Sequence, residues 1–310
     1  MNSKVKLLFA VVLSLTAGLR AVSFGTALSA APQRTRATTT IPRPVRFRET
    51  PGRGLLATVW INSTGPFTFA IDTGAGATLV SNRVAAVAHL DQRSGRVRSI
   101  SGLSGIATNA AEVRIDSLAL GDRDNFLPDK AVVTVTTGLP PDIDGVLDPT
   151  EAFAPLGFVI DIPRREISAF DPQASPIRAG NAPPDGAVVA WLKERDTNRP
   201  FVQLDNGDRA LIDTGSSLGL AVRDPASSSS RNSPYVQDIG GGRISTRRVR
   251  PTTVSIGALA LRNVPTDLVS GAEADAPVLL GLSALRPFRI SFDPRSRLIE
   301  IVPSNPPGRY

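Results

Sequence analysis

The sequence predicts a predominantly β, all-β type of protein built from two related halves, and three observations lead there. After about residue 45 the chain is a series of short apolar runs broken by Gly and Pro. A clear helical texture is confined to Asn82 to Leu90. One strand-and-turn pattern occurs twice, far apart. With 310 residues, the chain is long enough for two cores of about 150 residues each.

Taken in order, Lys4 and Lys6 precede the apolar run Leu7 to Leu19, and the small residues around Ala27-Leu28-Ser29-Ala30 lie just before Pro32. This is the order of a secretory signal peptide, so residues 1–30 are expected to direct export to the periplasm or beyond. The run of about 13 residues is closed by Arg20 and falls short of the ~20 needed to span a bilayer. No stable membrane span is expected after signal removal. Residues 31–44, with Thr38-Thr39-Thr40 and prolines, read as an extended linker.

The first half is expected over residues 45–172. Leu55 to Ile61, the turn-forming Asn62-Ser63-Thr64-Gly65-Pro66, and Phe67 to Ile71 read as a hairpin. Val113 to Gly121 alternates in part. Residues 173–187, with Pro176, Gly180 and Pro183-Pro184, read as a connector, and residues 188–303 as the second half. There, Arg289 to Phe292 and Leu298 to Ile301 alternate as strands. Ser227 to Ser230 is expected to be a surface loop, and 304–310 a tail.

Composition excludes several chemistries. The chain has no cysteine and a single histidine, His89, so thiolate nucleophiles, disulfides and Cys/His zinc sites are ruled out. The formal charge of +7 is modest, and the densest basic run, Arg247-Arg248-Val249-Arg250, lacks interleaved aromatic residues, so no nucleic-acid partner is expected. Gly74-Ala75-Gly76 lacks the third glycine of a dinucleotide fingerprint. Asp142, Asp144, Asp161 and Asp293 have proline neighbours or turn settings and read as turn residues rather than a calcium site. His89 reads as a surface or partly buried residue. Carboxylates and hydroxyls are left to carry the chemistry, with no metal or cofactor.

The internal repeat supplies them. Phe69-Ala70-Ile71-Asp72-Thr73-Gly74-Ala75 recurs as Ala210-Leu211-Ile212-Asp213-Thr214-Gly215-Ser216, 141 positions later. Asp144 to Asp148 then matches Pro277 to Gly281, and Ile160-Asp161 matches Phe292-Asp293, at offsets of 133 and 132. Two carboxyls facing each other at hydrogen-bonding distance cannot both ionise, so they hold one proton between them. Such a pair can take a proton from water and give one to a departing nitrogen.

At these residues the chain resembles the pepsin-like and retropepsin-like aspartic proteases, in a two-lobed single-chain bacterial-type form, over roughly residues 50–302. The resemblance implies two homologous six-stranded-type β-barrel lobes with the active site in the cleft between them. It implies an endopeptidase that acts on an extended polypeptide as a monomer, with Asp72 and Asp213 catalytic. It also implies that Thr73 and Thr214 brace the two loops through their hydroxyls, while Gly74 and Gly215 allow close backbone approach. Ser216 is expected to reach the outer oxygen of Asp213 through its hydroxyl, and Ala75 offers Asp72 no such group. Glycine-bearing hairpin tips at Gly102 and Gly105, and at Gly240 and Gly241, are candidate flaps. Neither Tyr235 nor Tyr310 stands where the pepsin flap tyrosine would. Asp148 occupies a position where the family has glycine. Together with Ala75, it motivates an alternative reading: a noncatalytic peptide-binding or scaffold protein on a degenerate protease fold. A retroviral-like assembly, with one chain's lobe pairing with another chain's, is a further alternative.

Overall fold

The computed structural model describes residues 40–128, 132–194, 197–224 and 235–304. The expected signal peptide, most of the linker, the four-serine run and the tail after Ser304 lie outside the described residues. The end of the linker is docked: Arg43 donates its backbone N–H to Asn125 Oδ1 (2.8 Å), and its guanidinium meets Asp124.

In the first half, β1 (Val45–Arg46) and β2 (Arg48–Thr50) lead into the predicted hairpin of β3 (Gly54–Ile61) and β4 (Thr64–Ile71). Its turn residues, Asn62 and Ser63, both have positive φ (49° and 61°). Two-residue turns of that kind match the twist of the flanking strands. β5 (Leu79–Ser81) runs into α1 (Asn82–Val87), whose first turn is capped by Ser81 Oγ accepting from Val84 N–H. Next come the hairpin β6 (Arg96–Ser101) and β7 (Ala107–Arg114), then β8 (Leu118–Leu120), β9 (Val132–Thr136) and β10 (Gly145–Leu147). α2 (Pro149–Ala152), β11 (Gly157–Asp161) and β12 (Glu166–Phe170) end this half.

The second half opens with β13 (Ala187–Ala190), β14 (Phe201–Gln203), β15 (Arg209–Asp213) and β16 (Leu220–Arg223). β17 (Tyr235–Gln237) pairs with the long β18 (Arg243–Ile256), which pairs in turn with β19 (Leu259–Ser270). β20 (Val278–Gly281), α3 (Leu282–Leu285), β21 (Phe288–Asp293) and β22 (Leu298–Pro303) complete it. The described chain is thus mostly strand, as predicted. Among the described residues no helix is long and apolar enough to cross a membrane.

The repeat is written into the strand register. β4 lies parallel to β10 with Ile71 opposite Leu147, and β15 lies parallel to β20 with Ile212 opposite Leu280. β5 and β9 pair Leu79 with Thr134, and β16 and β19 pair Leu220 with Thr266. Each of these pairs maps onto its counterpart at the sequence offsets noted above.

The expected six-stranded barrels are not what forms. The first half contributes a nine-stranded sheet and the second a seven-stranded sheet, neither closed on itself. A third sheet of six strands, in the order β1-β12-β11-β21-β22-β13, draws from both halves. The last two strands of each half pair across, β11 against β21 with Phe158 opposite Phe292 and Ile160 opposite Ile290, so they are not available to close a barrel. Phe158 and Phe292 stack with ring centroids 4.5 Å apart, and Phe153 and Trp191 pack onto them from either side. These rings bury large apolar areas in one core that runs through both halves. That continuity gives two distant turns a common foundation.

Candidate active site

β4 and β15 deliver their Asp-Thr-Gly turns to the same place. Asp72 N–H donates to Leu147 O (3.0 Å), tying the first turn to β10, while Asp213 stands opposite Gly281 on β20. The threonines cross between the turns. Thr73 Oγ1 donates to Ile212 O (2.6 Å) and accepts from Thr214 N–H (3.1 Å). Thr214 Oγ1 donates to Ile71 O (2.9 Å) and accepts from Thr73 N–H (3.2 Å). Both side chains are fully buried. Each hydroxyl uses its hydrogen and a lone pair on the opposite half, which a strand-end residue chosen for branching alone would not do.

Thr73→Val keeps the shape but orphans the Ile212 carbonyl and the Thr214 N–H in a dry interior. The expected cost is about 3 kcal/mol of unfolding free energy, with Thr73→Ser recovering most of it. Denaturant unfolding of the two variants measures it; equal losses for serine and valine would contradict the role given to the hydroxyl.

The glycines explain the closeness. A Cβ on Gly74 would sit 2.8 Å from Asp213 Cγ, and one on Gly215 would collide with Asp72 Cγ. Any side chain at either position displaces the opposite carboxyl. The two carboxyls lie close enough for each to shift the other's proton affinity. Gly74 N–H donates to Asp72 Oδ1 (2.7 Å), whereas Asp213 Oδ1 receives two N–H groups, from Gly215 (2.9 Å) and Ser216 (3.0 Å). Ser216 therefore serves Asp213 through its backbone; its hydroxyl accepts from Leu218 N–H instead of reaching the carboxylate as expected.

Both residues keep partial contact with solvent while the surrounding protein strips most water from their carboxyls. Burial, and then the charge of Asp213, pushes Asp72 well above the usual carboxylate range. Burial also raises Asp213, but less freely. The hydrogen bond from Asp72, the two backbone N–H groups and the positive charge of Arg199 all pull it down. The pair's proton therefore leans toward Asp72.

Arg199 is a residue that sequence reading missed, because nothing in its spacing separates it from the other arginines. Its Nε donates to Glu194 Oε2 (2.9 Å) and its Nη2 to Glu194 Oε1 (2.8 Å), and its stem lies against Gly76 beside the first turn. Asp148 was singled out in the sequence, and the structure explains how it fits. It caps α2, its Oδ1 accepting from Thr150 N–H (2.8 Å) and Thr150 Oγ1 (2.7 Å). It is wholly buried, and among the described residues its Oδ2 has no hydrogen-bond partner. Burial, with the charge of Glu151 adding, pushes Asp148 up to about 7.

The four flap glycines lie on the tips of the β6–β7 and β17–β18 hairpins, and these tips touch each other: a Cβ on Gly102 would lie 2.5 Å from Asp238 Cγ. His89 is exposed just after α1, with φ of 53°. Each acid once weighed for calcium has a local task. Asp142 pairs with Arg53, Asp144 pairs with Arg83 and also accepts Thr68 N–H, and Asp161 and Asp293 accept backbone N–H groups of their own turns.

Residues 57–147 match the aspartyl protease family model. The matched stretch runs from within β3 to the end of β10 and contains the Asp72 turn and the first hairpin tip; Asp213 lies beyond it. The match supports a peptidase hydrolase of the aspartyl type. No curated protein matches the chain.

Proposed function

We propose that the chain is an aspartic endopeptidase in which Asp72 and Asp213 together activate a water molecule. One observation carries this reading: the two carboxyls meet across a close approach that only glycine permits, held there by four hydrogen bonds between Thr73, Thr214 and the opposite turns. The ionised member takes a proton from water as the water oxygen bonds to the scissile carbonyl carbon. The protonated member gives its hydrogen to the carbonyl oxygen. When the tetrahedral intermediate collapses, the carbon–nitrogen bond breaks, the nitrogen leaves with the dyad's proton, and a hydroxyl of the intermediate gives its proton back to the dyad as the new carboxyl forms, restoring one shared proton.

A shallow, open and mainly apolar depression beside the first hairpin tip supports an apolar contact with a polypeptide. It is lined by Leu103 of the first tip and by Ala221, Ala276, Pro277 and Leu279, of which Leu279 stands on β20 two positions before Gly281. Both aspartates come from one chain, which supports a working monomer. The export reading rests on residues 1–30 alone. Asp148, which motivated the noncatalytic alternative, has a helix-capping role compatible with an intact dyad.

The test is incubation of the purified full chain with an acid-denatured protein between pH 3 and 7, with fragments identified by mass. Internal cleavage is expected, and it should fail once both dyad carboxyls ionise. Intact substrate at every pH would overturn the reading in favour of the noncatalytic one.

A further inference from the structure

The two hairpin tips do more than lie close. Asp238, the first residue after β17, points one carboxylate oxygen at each of them. Its Oδ1 accepts from Gly240 N–H (3.1 Å) and Gly242 N–H (3.0 Å) of its own tip. Its Oδ2 accepts from Ser104 N–H (2.8 Å) of the first tip. Charge-assisted bonds of this kind are stronger than neutral ones, and a carboxylate has enough lone pairs to satisfy all three donors.

The surrounding residues are chosen for interlock. Side chains on Gly240 and Gly242 would run into the Ile106 carbonyl and the Ser104 hydroxyl, and one on Gly102 would run into Asp238 itself. A further tie lies alongside: Glu273 N–H donates to Leu103 O (2.9 Å), and the Leu103 side chain packs on the second half's apolar cluster of Phe201, Leu211 and Leu279. The first tip is thus seated on the second half, beside the strand that ends opposite Asp213.

We propose that Asp238 is a positioning residue that latches the two tips into a single roof, and that this preformed roof lowers the ordering cost of holding an extended polypeptide over the dyad. This rests on the peptidase reading above. Without the latch, the free protein spends most of its time with the tips apart, and the apparent affinity for substrate falls by the fraction that remains joined. The dyad is untouched, so the chemical step proceeds as before once substrate is held.

The experiment uses the full chain and its Asp238→Ala and Asp238→Asn variants, with three readouts. Native-state amide hydrogen exchange over residues 102–106 should accelerate roughly tenfold or more in the alanine variant, as loss of a charge-assisted bond implies. Asparagine keeps one acceptor oxygen and should fall between. The thermal midpoint should stay within a few degrees of the parent's. In steady-state cleavage of a denatured polypeptide, the alanine variant should raise KM roughly tenfold while kcat stays within about threefold. Unchanged exchange at 102–106, or a fall in kcat at unchanged KM, would overturn the latch. If the parent cleaves nothing, the peptidase reading fails by itself, and the exchange result still decides whether Asp238 joins the tips.

Discussion

Asparagine at Asp72 or at Asp213 is expected to lower kcat/KM for polypeptide cleavage by about 10²–10⁴-fold, the range for removing a general acid or base. The change is nearly isosteric. The side-chain oxygen that accepts from Gly74 N–H, or from Gly215 and Ser216 N–H, is retained, and the threonine bonds beneath are untouched. What disappears is the single proton held between two carboxyls, and with it both the base for water and the acid for the leaving nitrogen. The loss should not come from unfolding. A carboxyl whose folded pKa lies above its unfolded value binds its proton more tightly when folded. Its stabilising contribution is full below the unfolded pKa and is lost as pH rises toward the folded one. Both dyad members are raised, so both are liabilities near neutral pH. Each asparagine variant should therefore unfold at or above the parent's temperature at pH 7. Cleavage at the parent rate by either variant would exclude the shared-proton mechanism.

The second large effect concerns Asp148. Burial first, and then the Glu151 charge, raises it to about 7 from 3.8, and the same sign applies: the folded state favours the neutral acid. Its contribution is complete below about pH 4 and drains away up to about pH 7, for a total of about 4 kcal/mol. Comparing the parent with Asp148→Asn by denaturant unfolding at pH 4, 6 and 8 isolates this slope, because the dyad titrates in both proteins. The parent's stability should fall relative to the variant's as pH rises. The variant keeps the Oδ1 cap on Thr150 but places an unpartnered amide group where Oδ2 was, so it should be the less stable of the two at pH 4. Asp148 also helps hold Asp72 up. Its neutral replacement should move the alkaline limb of the cleavage profile to lower pH. Parallel stability curves for the two proteins would show that Asp148 stays ionised throughout, contrary to its setting.

Much of the architecture was legible before any coordinates. The hairpin around Asn62-Ser63, the short helix after Ser81 and the strands flanking each Asp-Thr-Gly follow from turn chemistry and alternation within a few residues. The repeat went further, since the same offsets reappear as equivalent parallel pairs, Ile71 with Leu147 and Ile212 with Leu280. It also nominated the two acids that meet. Expectations failed where the partner lay elsewhere. The family resemblance implied closed barrels, but strands at the end of each half pair with strands of the other. Ser216 was expected to act through its hydroxyl, and its backbone does the work.

Local order, the paired motifs and the chemistry left open by composition were therefore determined by the sequence itself, because each depends on neighbours within a turn or a strand. Which oxygen meets which N–H across the halves was decided only in the folded chain. Arg199 beside Asp213, the full burial of Asp148 and Asp238 spanning two tips all depend on distances between segments far apart in the chain. Burial and charge act over a few ångströms of space, and no spacing along the chain records them.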